Sequence, residues 1–111
     1  MEGKLAMSTI KSPSLPFNES LIAAAPHTTG VYALWHEGAI VYLGKACAGN
    51  ATIRSALAEH LKATLWGAER ATRCSWEIAE DAERRFEELL QTFQVTHGAA
   101  PRWNDPQRLP T

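Results

Sequence analysis

Gly30-Val31-Tyr32-Ala33-Leu34-Trp35-His36-Glu37-Gly38-Ala39-Ile40-Val41-Tyr42-Leu43-Gly44-Lys45 is the stretch that decides how this chain folds. Gly30 to Trp35 and Ile40 to Leu43 are rich in β-branched and aromatic residues, and the His36-Glu37-Gly38 between them ends in glycine, which reads as a β-hairpin. A three-residue loop closes as a type I turn followed by a left-handed residue, and Gly38 suits that last position because it has no Cβ to clash. Such a loop pairs Trp35 with Ala39 and sets Tyr32 directly opposite Tyr42. Side chains alternate along a strand, so both phenols are expected on one sheet face. Gly44, where the second strand ends, lets another group approach the backbone closely.

Working outward, a loop of small residues from Ala46 to Ala51 leads to a helix that Asn50 or Thr52 can cap. Ile53, Leu57, Leu61 and Leu65 recur every fourth residue as its apolar stripe, and Gly67 supplies the stop. Cys74, Trp76 and Ile78 alternate with Ser75 and Glu77 as a third, half-buried strand. Asp81 caps a last helix with a core stripe of Ala82, Phe86, Leu89, Leu90 and Phe93, closed by Gly98. From Pro101 onward the chain is polar, with Trp103 as its anchor. Ahead of the hairpin, Asn18 caps a short helix that Pro26 ends.

The order β-β-α-β-α constrains the topology. A helical crossover makes the second and third strands parallel, and the hairpin makes the first antiparallel to the second. Both hold in an α/β fold with a small three-stranded antiparallel or mixed sheet of order 2-1-3, flanked by helices. Residues 1–16, with Ser8, Ser12, Pro13, Ser14 and Pro16, read as a flexible N-terminal tail, residues 17–106 as a single domain and residues 107–111 as a C-terminal tail.

With 111 residues the chain buries about two thirds of its unfolded surface, enough for one core. Its net charge of −1 gives no basic field over the whole molecule. Charge is nevertheless uneven, with Lys45, Arg54, Lys62, Arg70 and Arg73 in one stretch and Glu77, Glu80, Asp81, Glu83, Glu87 and Glu88 in the next. Cys47 and Cys74 form no CxxC pair, which points away from a disulfide framework or structural zinc and toward a reducing, cytoplasmic setting. No stretch is apolar for long enough to predict a transmembrane helix. Gly44-Lys45-Ala46 lacks the flanking residues of a phosphate-binding P-loop.

Gly30-Val31-Tyr32 and Tyr42-Leu43-Gly44, with tyrosines ten positions apart, then Ile53 to His60 and Pro101-Arg102-Trp103-Asn104, together resemble the GIY-YIG nuclease domain family over residues 28 to 104. The resemblance implies a metal-dependent endonuclease that hydrolyses phosphodiester bonds in DNA. It implies Tyr32, Tyr42 and His60 as catalytic residues, Gly30 and Asn104 as structural ones, and one divalent metal, Mg²⁺ or Mn²⁺, on Glu87 or alternatively on Glu83. DNA is then the expected partner, with a protein partner or a second copy of the chain as a further expectation, and no membrane. The family writes arginine one helical turn before the histidine, and here that position is Ala56. Arg54 lies about 160° away around the helix, and Lys45 lacks the guanidinium fork, so each is a substitute cation rather than an equivalent. Gly44, Lys45 and Arg54 are accordingly the expected substrate contacts. The alternative keeps the fold and loses the chemistry: a catalytically weakened domain that binds nucleic acid or another protein.

Overall fold

The computed structural model describes residues 14–47, 51–64, 71–101 and 104. Its elements are β1 (Leu15–Pro16), α1 (Glu19–Ala24), β2 (Gly30–His36), β3 (Ala39–Ala46), α2 (Ile53–Thr64), β4 (Arg73–Ile78) and α3 (Ala82–His97). The sheet has four strands in the order β1-β4-β2-β3, and every neighbouring pair is antiparallel. The expected order of hairpin and third strand, with the first hairpin strand central, is therefore present, and β3 and β4 run parallel without touching. The expected count of three strands is corrected to four. Leu15 and Pro16, read as part of the tail, pair with Cys74 and Arg73, and Arg73 holds the approach by donating from Nε and Nη2 to the hydroxyl and carbonyl oxygens of Ser14. Proline fits there because an edge strand can spare one N–H.

The hairpin closes differently from the expectation. Glu37 and Gly38 both have positive φ, 52° and 84°, and His36 pairs with Ala39, so the loop has two residues and the twist of a type I′ turn. That turn follows the right-handed twist of the strands, whereas a type I turn would splay them. A β-bulge comes next: Trp35 faces Ile40 but Leu34 faces Tyr42, leaving Val41 as the extra residue. Tyr32 therefore pairs with Gly44, not with Tyr42. The shorter loop moves the register by one residue and the bulge moves it by another. Two shifts restore the parity, so Tyr32 and Tyr42 remain on one face as diagonal neighbours.

Helices cover both faces. On one, Ile53 and Leu57 of α2 and Ile22 of α1 pack on Tyr32, Leu34 and Cys74; on the other, Ala82 and Leu89 of α3 pack on Val31, Ala33 and Leu43. This is why β4 is not simply half-buried: Cys74 and Ser75 point to opposite faces and are both buried, Ser75 accepting a hydrogen bond from Trp35 Nε1 at 3.1 Å, while Ile78 ends the strand 60% exposed. The caps follow the sequence. Asn18 accepts from Leu21 N at 2.9 Å, Asp81 accepts from Arg84 N at 3.1 Å, and Gly98 closes α3 in the left-handed conformation. Thr52 starts α2 with a reciprocal box, accepting from Ser55 N while its own N–H donates to Ser55 Oγ. The expected stop at Gly67, the stripe residue Leu65, the Trp103 anchor, and the tails at residues 1–13 and 107–111 lie outside the described residues.

Candidate functional site

Three residues that are distant in sequence meet on the α2 face. Tyr32 comes from the middle of β2, Tyr42 from edge strand β3 and His60 from the second half of α2. Tyr32 Oη and His60 Nε2 are 3.0 Å apart and hydrogen bonded. The ring centroids lie 6.0 Å apart for Tyr32 and Tyr42, 5.6 Å for Tyr32 and His60, and 4.7 Å for Tyr42 and His60. Gly44 makes the arrangement possible, since a Cβ there would run into Cζ and Oη of Tyr32. Tyr32 is only 4% exposed, whereas Tyr42 and His60 are half-buried, so the buried phenol forms a floor under two partly open rings.

Burial sets the protonation of this cluster. Desolvation pushes the Tyr32 phenol well above its usual range, and the neighbouring Tyr42 adds to the shift. Desolvation also holds the His60 imidazole below its ordinary value, with Glu59 acting weakly in the opposite sense. At neutral pH the phenol is protonated and the imidazole neutral, so the phenol donates to Nε2 in the tautomer with its proton on Nδ1. His60 must acquire charge when acid is added, and the unfolded chain acquires it more readily, near pH ~6.5, so its contribution to stability is present above that value and fades as pH falls through the lower folded value. We expect Tm to drop between about pH 7 and pH 5, and His60→Gln to reduce that drop. An unchanged pH dependence in the variant would show that the imidazole is not desolvated.

The remaining candidates do not join this cluster. Arg54 is committed elsewhere: its Nε donates to Ala25 O at 2.9 Å and its backbone N–H to Pro26 O, locking α2 to the end of α1. Lys45 follows Gly44 and so points to the opposite sheet face, where Nζ lies 3.4 Å from Glu83 Oε2 and 5.1 Å from the centroid of the Phe86 ring. Ala56 packs against the core on the α2 face. Glu83 is engaged by Lys45 and largely exposed, and Glu87 is exposed on α3. Among the described residues, no group of three or more His, Cys, Asp or Glu side chains gathers to hold a metal. Glu83 meets Lys45 on the sheet face opposite the tyrosine–histidine cluster. The N-terminus of α2 offers no anion site either, because its first three N–H groups are taken by Thr28 O, Pro26 O and Thr52 Oγ1.

Asn104 lies on the free edge of β3. Its Oδ1 accepts from Leu43 N and its Nδ2 donates to Leu43 O, both at 2.9 Å, so one amide side chain does the work of a neighbouring strand residue. The Arg85–Glu77 pair, which the sequence pattern did not single out, is bidentate at 2.8 and 3.2 Å and mostly buried, tying α3 to β4. Its signal was available: a charged side chain at 85 lies close to the stripe of Ala82 and Leu89 and so needs a partner beneath it. Cys47 and Cys74 are both free, and burial pushes the Cys74 thiol up to about 12, which makes it inert as a nucleophile. No helix among the described residues is long and apolar enough to cross a membrane. No family model matches the chain, and no curated protein or solved structure is detectably similar to it.

Proposed function

We propose that this chain is a GIY-YIG-type endonuclease domain that hydrolyses phosphodiester bonds in DNA, with the tyrosine–histidine cluster as its reactive face. One observation supports this reading above the others. Tyr32, Tyr42 and His60, the residues the resemblance marks as catalytic, come from three separate elements and converge to within hydrogen-bond and ring-contact distance. Hydrolysis needs a group that takes a proton from the attacking water. His60, neutral at neutral pH, is the member of the pair suited to take that proton, and Tyr32 Oη, hydrogen bonded to Nε2, positions the imidazole. Tyr42, half-buried at the opening, is placed to orient the water or a phosphoryl oxygen. The divalent metal that the resemblance implies would be held by Glu87 or alternatively Glu83 on α3 and would stabilise charge on the phosphoryl oxygens.

A second reading is favoured by where the positive charge lies. Ala56 stands in the arginine position, Arg54 is tied to Ala25, and Lys45 is tied to Glu83 on the far face. A site without a cation for the phosphoryl oxygens loses on the order of 10²–10³ in rate. The same scaffold would then bind DNA or a protein without cutting. Incubating the full chain with supercoiled plasmid, branched DNA and single-stranded DNA, each with Mg²⁺ or Mn²⁺, separates the two. Under the first reading the parent nicks and Tyr32→Phe slows nicking by about 10²-fold or more, while Glu87→Ala tests the metal ligand. Under the second the parent is inert and Ala56→Arg confers nicking. Inertness of every variant removes the nuclease reading.

A further inference from the structure

The cluster's neighbours and its charge bear on what it binds. Trp76 lies directly across from Tyr32 on β4, is half-buried, and packs against the same core. Trp76, Tyr32 and Tyr42 therefore run across three adjacent strands on one face, and His60 adds a fourth ring from α2. Tyr42, His60 and Trp76 are partly open and Tyr32 is buried, and of the open three it is Tyr42 and His60 whose rings meet, 4.7 Å apart at their centroids. Among the described residues the face is aromatic and nearly without positive charge. Of the described cations, Arg54 bonds Ala25, Lys45 pairs with Glu83, Arg73 with Ser14, Arg84 with Glu88 and Arg85 with Glu77. Lys62 lies two residues beyond His60 and so about 160° away around α2.

A duplex presents phosphates outward and hides the faces of its bases, and the described residues of this surface offer little for phosphates. An unpaired strand exposes flat π-faces, and every base has one. We propose that the partly exposed Tyr42–His60 ring pair is a stacking site for an unpaired nucleobase, and that single-stranded or locally unpaired DNA is the substrate class. The inference rests on the reading of DNA as the ligand and adds what kind of DNA. Tyr42 supplies the open ring and His60, uncharged, its companion. Tyr32 holds both in place from below, and a stacked base would bring its own phosphodiester beside the Tyr32–His60 pair.

The test is equilibrium binding of the full chain to three labelled probes: a short single strand, the same strand with abasic nucleotides at its centre, and the matching duplex. The abasic probe keeps the phosphates and removes the π-faces, so protein folding is not at issue. We expect the intact strand to bind at least about fivefold more tightly than either of the others, with a salt dependence equivalent to fewer than about two released phosphate counterions. Tyr42→Phe should keep the preference and Tyr42→Ala should lose it, with a melting curve recorded for each. Equal affinity for intact and abasic strands, preference for the duplex, no binding at all, or indifference to Tyr42→Ala in a folded variant each overturn the proposal. Its failure is distinguishable from failure of the nuclease reading. Tyr32-dependent nicking of plasmid without preference for unpaired bases leaves hydrolysis standing and removes the stacking site, while base-dependent binding without nicking does the reverse.

Discussion

Gly30→Ala is expected to lower Tm by more than about 10 °C, a loss on the order of 3 kcal/mol from a stability of about 5–15 kcal/mol. Gly30 is pinched between Ala46 of β3 and Ile78 of β4, and α2 lies above it. A Cβ there would run into the carbonyl oxygen of Glu77, lie 2.6 Å from Ile53 Cδ1 and 3.1 Å from Ile78 Cα. Two of these three atoms are backbone, so no rotamer change removes the clash. Ile53 has little room to yield, being fully buried with its N–H bound to Thr28 O. The strands must separate at the end where β2 joins both neighbours. A double variant with Ile53→Ala should recover only part of the loss, because the Glu77 contact persists. Full recovery, or an unchanged Tm for Gly30→Ala alone, would show that β2 shifts from β4 at little cost.

Gly44→Ala should act on the site rather than the scaffold. The atoms a new Cβ meets belong to the Tyr32 ring, not to backbone, so the ring gives way and the fold survives with a loss of about 1–3 kcal/mol. The displaced phenol leaves His60 Nε2. The imidazole then loses part of its shelter, and its titration, followed by NMR, should rise toward about 6.5. If the parent nicks DNA, Gly44→Ala should match Tyr32→Phe in rate, since both take the phenol away from His60 Nε2. An His60 titration that stays low in the variant would mean that the helix, not the phenol, buries the ring. The two glycines thus separate fold from cluster: a Cβ at one meets backbone, at the other a single side chain, Tyr32.

Much of the fold was legible in the sequence, for identifiable reasons. The caps at Asn18, Thr52 and Asp81 and the left-handed Gly98 are local devices, and local chemistry is written in adjacent residues. The α3 stripe was legible because a helix on a sheet needs an apolar face, and Ala82, Phe86, Leu89, Leu90 and Phe93 all lie there. Tyr32 and Tyr42 share one sheet face as expected, and His60 meets them there. The register that produces it was not legible, because a bulge at Leu34/Trp35 has no signature in Leu-Trp and because Glu37 is an unusual residue for positive φ, costing about 1 kcal/mol. β1 was missed because two residues with a proline carry no strand pattern; its pairing comes from an Arg73–Ser14 contact across 59 positions. Where Arg54 and Lys45 point was also hidden, since the carbonyl of Ala25 and the carboxylate of Glu83 compete for them only once the layers assemble.

The hairpin's two compensating irregularities leave the turn region with a strict rule for length change. A loop can usually gain or lose one residue at small cost in chain entropy. Here a single insertion or deletion between Glu37 and Val41, with the bulge kept, would move Tyr42 to the α3 side and bring Leu43 out from under that helix. Changes in pairs would keep both phenols together. Homologous chains that share the cluster should therefore differ in this hairpin by even numbers of residues, or by one residue together with the loss of the bulge.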